Sequence, residues 1–167
     1  MQQNILNKEP LMGSPHWGES KYWSYKDLRV HFRVTGEESN PPIVLIHGFG
    51  ASSDHWRNNA EIFASEGFRV FGIDLIGFGK SEQNLQSKIK HLENQFWANQ
   101  LASFLDEIVD IQKNGKVILI GNSLGALTAI TTLSNRPELI KTIIAAPLPE
   151  PVSVSYTHLT LPTKRIV

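Results

Sequence analysis

The sequence predicts an α/β fold, in which a mostly parallel sheet carries helices on both faces and begins with two strands of antiparallel character. Short apolar strands alternate along the chain with segments of helical spacing, which is typical of parallel sheets joined by right-handed crossovers. Two strands, Ile43–Ile46 and Val117–Ile120, are continuously apolar, as expected where both faces of a strand are covered. The strand Leu28–Thr35 instead alternates apolar with polar residues, which predicts one solvent-exposed face.

The other elements follow from local signals along the chain. Helical spacing begins at Asp54, where Ser53 or Asp54 could cap the first turn, and Gly67 is placed to end that helix. One apolar stripe running through Trp97 and Leu101 predicts the longest helix. The further predicted strands are Lys21–Tyr25, Arg69–Ile73 and Thr142–Ala146, and the predicted helices are Asp54–Ser65, His91–Ile111 and Leu124–Ser134.

Composition excludes several classes of function. The 16 basic and 16 acidic residues balance to a formal net charge of zero, which argues against a nucleic-acid partner or a polybasic membrane patch. The chain has no cysteine, so disulfides, thiolate zinc sites and a cysteine nucleophile are excluded, and we expect no metal or cofactor. The sequence shows neither the apolar core of a signal peptide nor an apolar run that could span a bilayer. We therefore expect a cytoplasmic protein or one in an organelle stroma.

Three regions differ in character. Residues 1–20 are polar and rich in Gly and Pro, and we interpret them as a flexible leader. Residues 21–152 hold the alternating strands and helices, and we interpret them as a partial α/β core. Residues 153–167 have no amphipathic pattern and are similar to translated sequencing-adapter sequence, so we interpret them as a non-native read-through tail.

The motif Gly121-Asn122-Ser123-Leu124-Gly125 lies between a predicted buried strand and a predicted helix. This G-x-S-x-G pattern in this context predicts a sharp turn that lifts the serine hydroxyl above the sheet. Ser123 is expected to occupy a strained backbone conformation, and side chains at positions 121 and 125 are expected to collide with it. The following helix points its positive end at the site, which favours a developing oxyanion. The motif therefore predicts that Ser123 is a catalytic nucleophile.

A second glycine-rich turn, His47-Gly48-Phe49-Gly50, follows the apolar strand Ile43–Ile46. A backbone N–H in such a turn can face the nucleophile, and we predict that the N–H groups of Phe49 and Leu124 form the oxyanion hole. We predict that the His47 ring braces this turn. The loop Asp74–Ser81 leaves another strand end, and we interpret Asp74 as a structural acceptor of loop hydrogen bonds, because it precedes the serine.

The segments HGFG, DLIGFGKS and GNSLGA, in this order and spacing, resemble the α/β-hydrolase superfamily (AB hydrolase-1 type) over about Tyr22 to Pro151. The stretches HGFGASSDHW and AAPLPEP are similar to the pheophytinase-like branch of photosynthetic organisms. The resemblance implies Ser123 as nucleophile, a histidine as general base and an acidic residue that orients this histidine. It also implies a cap domain after Thr142–Ala146 and further strands beyond the cap.

The chain departs from this pattern after Ser123. Only His158 follows the serine, within the predicted tail, and we interpret Glu150 as a loop residue between prolines. The earlier histidines all have structural interpretations, with His31 placed on the solvent-exposed face of its strand. We therefore interpret the chain as C-terminally truncated, with an unpaired sheet edge near Thr142–Ala146. Without a base beside it, a serine hydroxyl is a weak nucleophile, so we expect these 167 residues to be nearly inactive.

The residues favour a serine hydrolase that cleaves a small, apolar carboxylic ester through an acyl-enzyme. The candidates for an apolar entrance are Phe49, Trp56 and Phe78. Serine-dependent C–C bond hydrolysis and cofactor-free haloperoxidase chemistry fit the same turn. Dehalogenases and epoxide hydrolases of this superfamily carry an Asp nucleophile where this chain has Ser123. A non-catalytic member that binds a ligand or a protein is the third alternative.

Overall fold

The computed structural model describes residues 16–85 and 92–146, and these residues form a six-stranded sheet with helices on both faces. The strands are β1 Glu19–Tyr25, β2 Leu28–Thr35, β3 Pro42–Ile46, β4 Arg69–Ile73, β5 Val117–Asn122 and β6 Ile140–Ala146. The α-helices are α1 Ala60–Ser65, α2 Asn94–Phe104, α3 Ile111–Asn114 and α4 Leu124–Asn135, with 3₁₀ turns at Ser53–Trp56 and Pro137–Leu139 and a π-turn at Leu105–Val109. None of the described helices is long and apolar enough to cross a membrane.

The sheet has the order β1-β2-β4-β3-β5-β6. The pairs β1–β2 and β2–β4 are antiparallel, whereas β4, β3, β5 and β6 run parallel. The predicted α/β class, with antiparallel character in the first two strands, is confirmed. Within the described residues β6 pairs with β5 alone, so it forms one edge of the sheet, where Ile144 is 56% exposed.

Two apolar clusters cover the two faces of the sheet, and β3 contributes to both. Val44 and Ile46 point toward α2 and α4, where they join a large cluster that contains Leu101. Ile43 and Leu45 point the other way and pack in a smaller cluster near α1. Because side chains alternate along a strand, a strand buried on both faces must be apolar at every position. This explains why β3 reads as an unbroken apolar run.

The strand β2 departs from the prediction, because the face that we placed in solvent is largely buried. His31 and Arg33 are both inaccessible, although Arg29 on the same face is exposed. Arg33 donates from Nη1 to the Trp17 carbonyl oxygen at 2.8 Å, and its Nε lies 2.8 Å from Asp54 Oδ1. His31 and Arg33 are polar because they meet polar partners inside the protein. The alternation of polar and apolar residues in β2 therefore does not indicate a solvent-exposed face.

The predicted leader overlaps the fold at its C-terminal end. Trp17, which we placed in this leader, is only 3% exposed and packs among the residues of the smaller cluster. Its indole Nε1 donates to the Ser53 carbonyl oxygen at 2.9 Å, and β1 begins at Glu19 rather than Lys21. The remainder of the predicted leader, residues 1–15, and the predicted tail, residues 153–167, lie outside the described residues.

Two predicted helices are shorter or more broken than expected. The segment from Asp54 to Ser65 divides into the 3₁₀ turn and α1, and Ser52 caps the 3₁₀ turn by accepting from the Asp54 N–H at 3.3 Å. Helix α2 passes into the π-turn after Phe104, and Asp110 then adopts a positive φ of 53°, which separates α3. The predicted start of this helix at His91 lies outside the described residues.

Candidate active site

Ser123 occupies the turn between β5 and α4 with φ 54° and ψ −117°, a conformation that side chains rarely adopt. Its N–H donates to the Ala146 carbonyl oxygen at 2.8 Å, at the end of β6. Its own carbonyl oxygen accepts from Ala126 and Leu127 at 3.0 and 3.1 Å, which starts the helix. The backbone is therefore held on both sides of a strained residue, as the motif predicted.

The two glycines of the motif are required, but for a different reason from the one predicted. A Cβ on Gly121 would lie 2.5 Å from the Gly125 carbonyl oxygen, inside the first turn of α4. A Cβ on Gly125 would collide with the carbonyl oxygens of Ile46 and His47 at the end of β3. The glycines thus let the helix approach its own strand and the neighbouring strand, and the nearest atoms that a Cβ would meet at either position are backbone atoms.

Gly48 is the residue that lies against the serine. A Cβ built on Gly48 would come 3.2 Å from Ser123 Cβ and 3.3 Å from the Asn122 carbonyl oxygen. Because β3 and β5 are parallel neighbours, the turn after β3 and the turn after β5 meet at the same edge of the sheet. The sequence predicted each turn, and the structure brings the two together.

The Phe49 N–H and the Leu124 N–H belong to these two adjoining turns. Within residues 16–85 and 92–146, neither amide donates a hydrogen bond to another residue. Leu124 begins α4, and an N–H in the first turn of a helix has no intrahelical acceptor. Both amides therefore lack an acceptor within the part of the chain that the structure describes.

The His47 ring braces its turn, as predicted. It is fully buried, its Nδ1 lies 2.7 Å from the Gly48 carbonyl oxygen, and its Nε2 accepts from the Leu75 N–H at 3.0 Å. This pair of partners requires a proton on Nδ1 and a free electron pair on Nε2, which is the neutral ring. Burial lowers the pKa of His47, against the opposing hydrogen bond to Gly48. His47 is thus a neutral structural link between two loops.

Asp74 holds the loop after β4 through several hydrogen bonds, which confirms its predicted structural role. Its Oδ1 accepts from the Ser53 N–H at 2.6 Å, and its Oδ2 accepts from the Lys80 N–H at 2.9 Å and pairs with His31 Nδ1 at 2.8 Å. Burial alone raises the pKa of this carboxyl group. The hydrogen bonds from His31, Lys80 and Ser53 outweigh it and lower the pKa to about 2.

Aromatic rings extend from the Phe49 turn. Phe49 is 78% exposed and its ring packs edge-on against Phe78 at 5.2 Å between centroids. Phe78 in turn lies 5.9 Å from Trp97 of α2. Trp56, the third predicted entrance residue, is instead buried beside Ile43 in the cluster on the α1 face. Its prediction as part of an entrance was wrong, because the 3₁₀ turn carries it under the sheet.

Sequence reasoning missed Gln100, which is buried in α2 and links two loop positions. Its Oε1 accepts from the Ile76 N–H at 3.1 Å, and its Nε2 donates to the Asp74 carbonyl oxygen at 3.4 Å. The signal was present, since position 100 falls on the same helical stripe as Trp97 and Leu101. A polar residue on an apolar stripe is expected to have a buried partner.

Four histidines lie in the described part of the chain, and none of them hydrogen-bonds Ser123. Each is engaged elsewhere, and His31 does not lie in solvent as predicted. His16 pairs with Asp54, His31 with Asp74 and Ser20, His47 with Gly48 and Leu75, and His55 packs edge-on against Trp56. His91 and His158 lie outside the described residues.

The fold and the site together define a class of protein. Its members are α/β proteins with a mostly parallel sheet, a strained serine between a strand and a helix, and a glycine turn packed against that serine. The family model for the alpha/beta hydrolase fold matches residues 41–155, which is more than half of the chain. The chain belongs to this family, as its motifs predicted. The resemblance to the pheophytinase-like branch and the truncation stay predictions.

The curated relatives are named as hydrolases. Epoxide hydrolase 4 of Mus musculus is 30% identical over 147 residues, which cover 87% of this chain and 39% of that protein. The 2-hydroxy-6-oxononadienedioate/2-hydroxy-6-oxononatrienedioate hydrolase of Burkholderia vietnamiensis is 33% identical over 121 residues, which cover 71% of this chain and 39% of that protein. The chain thus spans about two fifths of the length of these two relatives.

Solved structures agree on the fold. The thioesterase domain from the curacin biosynthetic pathway matches with a TM-score of 0.71 and 26% identity, over 83% of this chain and 50% of that chain. Epoxide hydrolase I of potato (Solanum tuberosum) matches with a TM-score of 0.69 and 25% identity, over 76% of this chain and 39% of that chain.

Proposed function

We propose that this chain carries the nucleophile and the oxyanion hole of a serine hydrolase that cleaves carboxylic esters. The observation that carries the proposal is the strained Ser123 at φ 54°, with Gly48 packed against its Cβ. Strain of this kind costs about 1–3 kcal/mol and persists where the surrounding structure imposes it, which is frequent at active sites. A residue that only connected a strand to a helix would have no reason to keep it.

In the proposed reaction, Ser123 Oγ attacks the ester carbonyl carbon and the carbonyl oxygen becomes an oxyanion. The N–H groups of Phe49 and Leu124 stabilise this oxyanion, supported by the positive end of α4. The C–O bond then breaks, the alcohol leaves with the proton taken from Ser123, and water hydrolyses the acyl-enzyme by the same route. We assign the general base to a histidine outside the described residues.

The proposed substrate is small and apolar on its acyl side. The exposed Phe49 ring and the half-buried Phe78 form an aromatic surface that begins at the residue whose amide we assign to the oxyanion hole, and the buried Trp97 supports it from below. Such a surface favours an apolar group over a charged one, because burial of apolar area is favourable and burial of an unpaired charge is costly. The Trp56 position contributes nothing to this surface.

A serine-dependent C–C hydrolase is the second candidate. It is favoured by the 33% identity to the Burkholderia vietnamiensis hydrolase, whose name gives two substrates, 2-hydroxy-6-oxononadienedioate and 2-hydroxy-6-oxononatrienedioate. The same nucleophile and oxyanion hole serve this reaction, in which a carbon rather than an oxygen leaves. The epoxide hydrolase relatives favour neither candidate, since we expect that activity to need an Asp at position 123.

Labelling with a fluorophosphonate tests the role of Ser123. For a form of the protein that includes the general base, we expect the peptide 117–141 to gain one phosphonyl group on Ser123. Trypsin releases this peptide by cutting after Lys116 and Lys141, because Pro137 blocks cleavage after Arg136. Ser123→Ala removes this label, whereas Ser134→Ala, an exposed serine at the far end of α4, leaves it unchanged. Equal labelling of Ser123 and Ser134 would argue against a nucleophile at the turn.

Turnover then separates the remaining possibilities. We propose that the 167-residue chain alone hydrolyses p-nitrophenyl esters very slowly, because removing the base of such a triad costs about 10⁴-fold or more in rate. Rapid turnover that Ser123→Ala abolishes would contradict this. For a form of the protein that includes the base, hydrolysis of short apolar esters supports the first candidate. Cleavage of an oxo-dienoate alone supports the second.

A further inference from the structure

A second serine is linked to a buried histidine and a buried carboxylate on the first two strands. Ser20 Oγ lies 2.8 Å from His31 Nε2, and His31 Nδ1 lies 2.8 Å from Asp74 Oδ2. His31 and Asp74 are inaccessible, whereas Ser20 is exposed on β1. Three strands lie between β1 and β5, so Ser20 is separated from the strand that precedes Ser123 by roughly 19 Å across the sheet at the usual strand spacing.

The protons in this group follow from the charge on the carboxylate. Asp74 is ionised at neutral pH, since its pKa is lowered to about 2, and an ionised carboxylate only accepts hydrogen bonds. His31 Nδ1 must therefore carry the proton in this pair. In the neutral ring Nε2 then holds a free electron pair, and the Ser20 hydroxyl donates to it at 2.8 Å.

The surroundings hold the backbone of His31 in place. Ser81 Oγ accepts from the backbone N–H of His31 at 2.9 Å and donates to the Asp74 carbonyl oxygen at 2.7 Å, which joins β2 to the loop after β4. Tyr22 lies directly opposite His31 in the strand pair, with 5.2 Å between ring centroids. The base is thus fixed in position and shielded on its flank, while the serine in front of it is open to solvent.

We propose that Ser20 is a second nucleophile, which takes acyl or phosphonyl groups from small activated electrophiles. In this step Ser20 Oγ forms a bond to the acyl carbon or the phosphorus, and the bond to the leaving group breaks. His31 Nε2 accepts the hydroxyl proton and passes it to the leaving group, while Asp74 stabilises the imidazolium that forms in between. Ser20 sits on an open strand face, so we expect little selectivity for the acyl chain.

Ser24 provides a matched control within the same strand. It lies four residues from Ser20, so it shares the same face of β1, and it is exposed as well. Ser24 pairs with Arg29 across the strands, whereas Ser20 reaches His31. Trypsin cuts after Lys21, so the two serines fall in different peptides.

The test uses the Ser123→Ala variant of the chain, treated with a fluorophosphonate and, separately, with p-nitrophenyl acetate. We expect Ser20 to be modified about 100-fold faster than Ser24, which is the usual contribution of a positioned base. Ser20→Ala in the same background removes this modification, and Ser24→Ala keeps it. Rates at Ser20 and Ser24 that are comparable would overturn the proposal and leave Ser20 as a plain hydrogen-bond partner of His31.

The His31 contribution is measured with His31→Gln in the Ser123→Ala background, using circular dichroism to confirm folding. A folded variant whose Ser20 rate falls to that of Ser24 supports the assignment of the base, and an unchanged rate overturns it. If the variant does not fold, the comparison of Ser20 with Ser24 decides alone. Labelling of Ser123 is measured on a different tryptic peptide from labelling of Ser20. Failure of the Ser20 proposal can therefore be distinguished from failure of the proposed role of Ser123.

Discussion

Gly48 and Ser123 are in contact across the ends of β3 and β5, with only 3.2 Å between Ser123 Cβ and the position of a Cβ built on Gly48. The two residues are 75 positions apart in the sequence and belong to separate glycine turns. This close approach places the turn that contains Phe49 against the turn that contains Ser123. The proposed oxyanion hole therefore depends on the absence of a side chain at position 48.

Gly48→Ala tests this dependence. The new methyl group would push the β3 turn away from the serine, so we expect the rate of Ser123 labelling by a fluorophosphonate to fall about 10-fold or more. Gly115→Ala is the control, because Gly115 has open space around it but a φ of +82°, so the substitution strains the backbone without touching the site. Loss of labelling in both variants would trace the effect to general destabilisation instead.

Ser123→Gly is expected to stabilise the fold relative to Ser123→Ala. Glycine adopts the positive φ at this position without steric cost, whereas alanine keeps the strain. We expect the free energy of unfolding to be about 1 kcal/mol higher for the glycine variant, after its greater loss of chain entropy is included. Urea denaturation of the two variants measures the difference. A less stable glycine variant would show that the turn is not strained.

We expect Asp74→Asn to lower the free energy of unfolding and to reduce the amount by which that free energy falls in acid. The folded-state pKa of about 2 lies below the ordinary value of 3.8, so Asp74 contributes stability above pH 4 that is lost as the pH falls toward 2. This contribution is about 2 kcal/mol at neutral pH. The free energy of unfolding of the asparagine variant should be lower at pH 7 and should fall less between pH 4 and 2.

Urea denaturation at pH 7, 4 and 3 measures this effect. The exposed Glu107, which accepts a hydrogen bond from the Trp23 indole at 2.9 Å, supplies the control variant Glu107→Gln. Exposed substitutions usually change stability by less than about 0.5 kcal/mol. An Asp74→Asn variant with the acid sensitivity of the unsubstituted chain would show that other carboxylates cause it.

Trp17→Ala is expected to lower the free energy of unfolding by about 3–5 kcal/mol, the usual cost of removing a buried aromatic side chain. Trp17 packs against Gly72, where an added Cβ would lie 2.6 Å from the indole ring, and it also binds the Ser53 carbonyl oxygen. Tyr22→Ala, a change of a 46% exposed ring on β1, should cost much less. Equally small decreases in the free energy of unfolding for both variants would show that residues 16–18 belong to a leader that the fold does not need.

The sequence by itself determined the α/β class and the local geometry of the turns. Short unbroken apolar runs between turn signals are typical of strands that are covered on both faces, and the G-x-S-x-G spacing between such a strand and a helix is typical of a strained turn. The positive φ of Ser123 and the bracing role of His47 were predictable for this reason. The turn residues and the His47–Gly48 hydrogen bond are near one another in the chain, whereas the second hydrogen bond of His47, from Leu75, crosses to another loop.

Only the tertiary structure decided which distant polar residues meet. The period of β2 placed His31 and Arg33 in solvent, yet Asp74, Asp54 and Trp17 supply polar partners from other parts of the chain. Burial of a polar group depends on a partner that pattern reading along one strand does not reveal. For this reason Ser123 could be found from its own motif, whereas the link from Ser20 through His31 to Asp74 exists only in the folded protein.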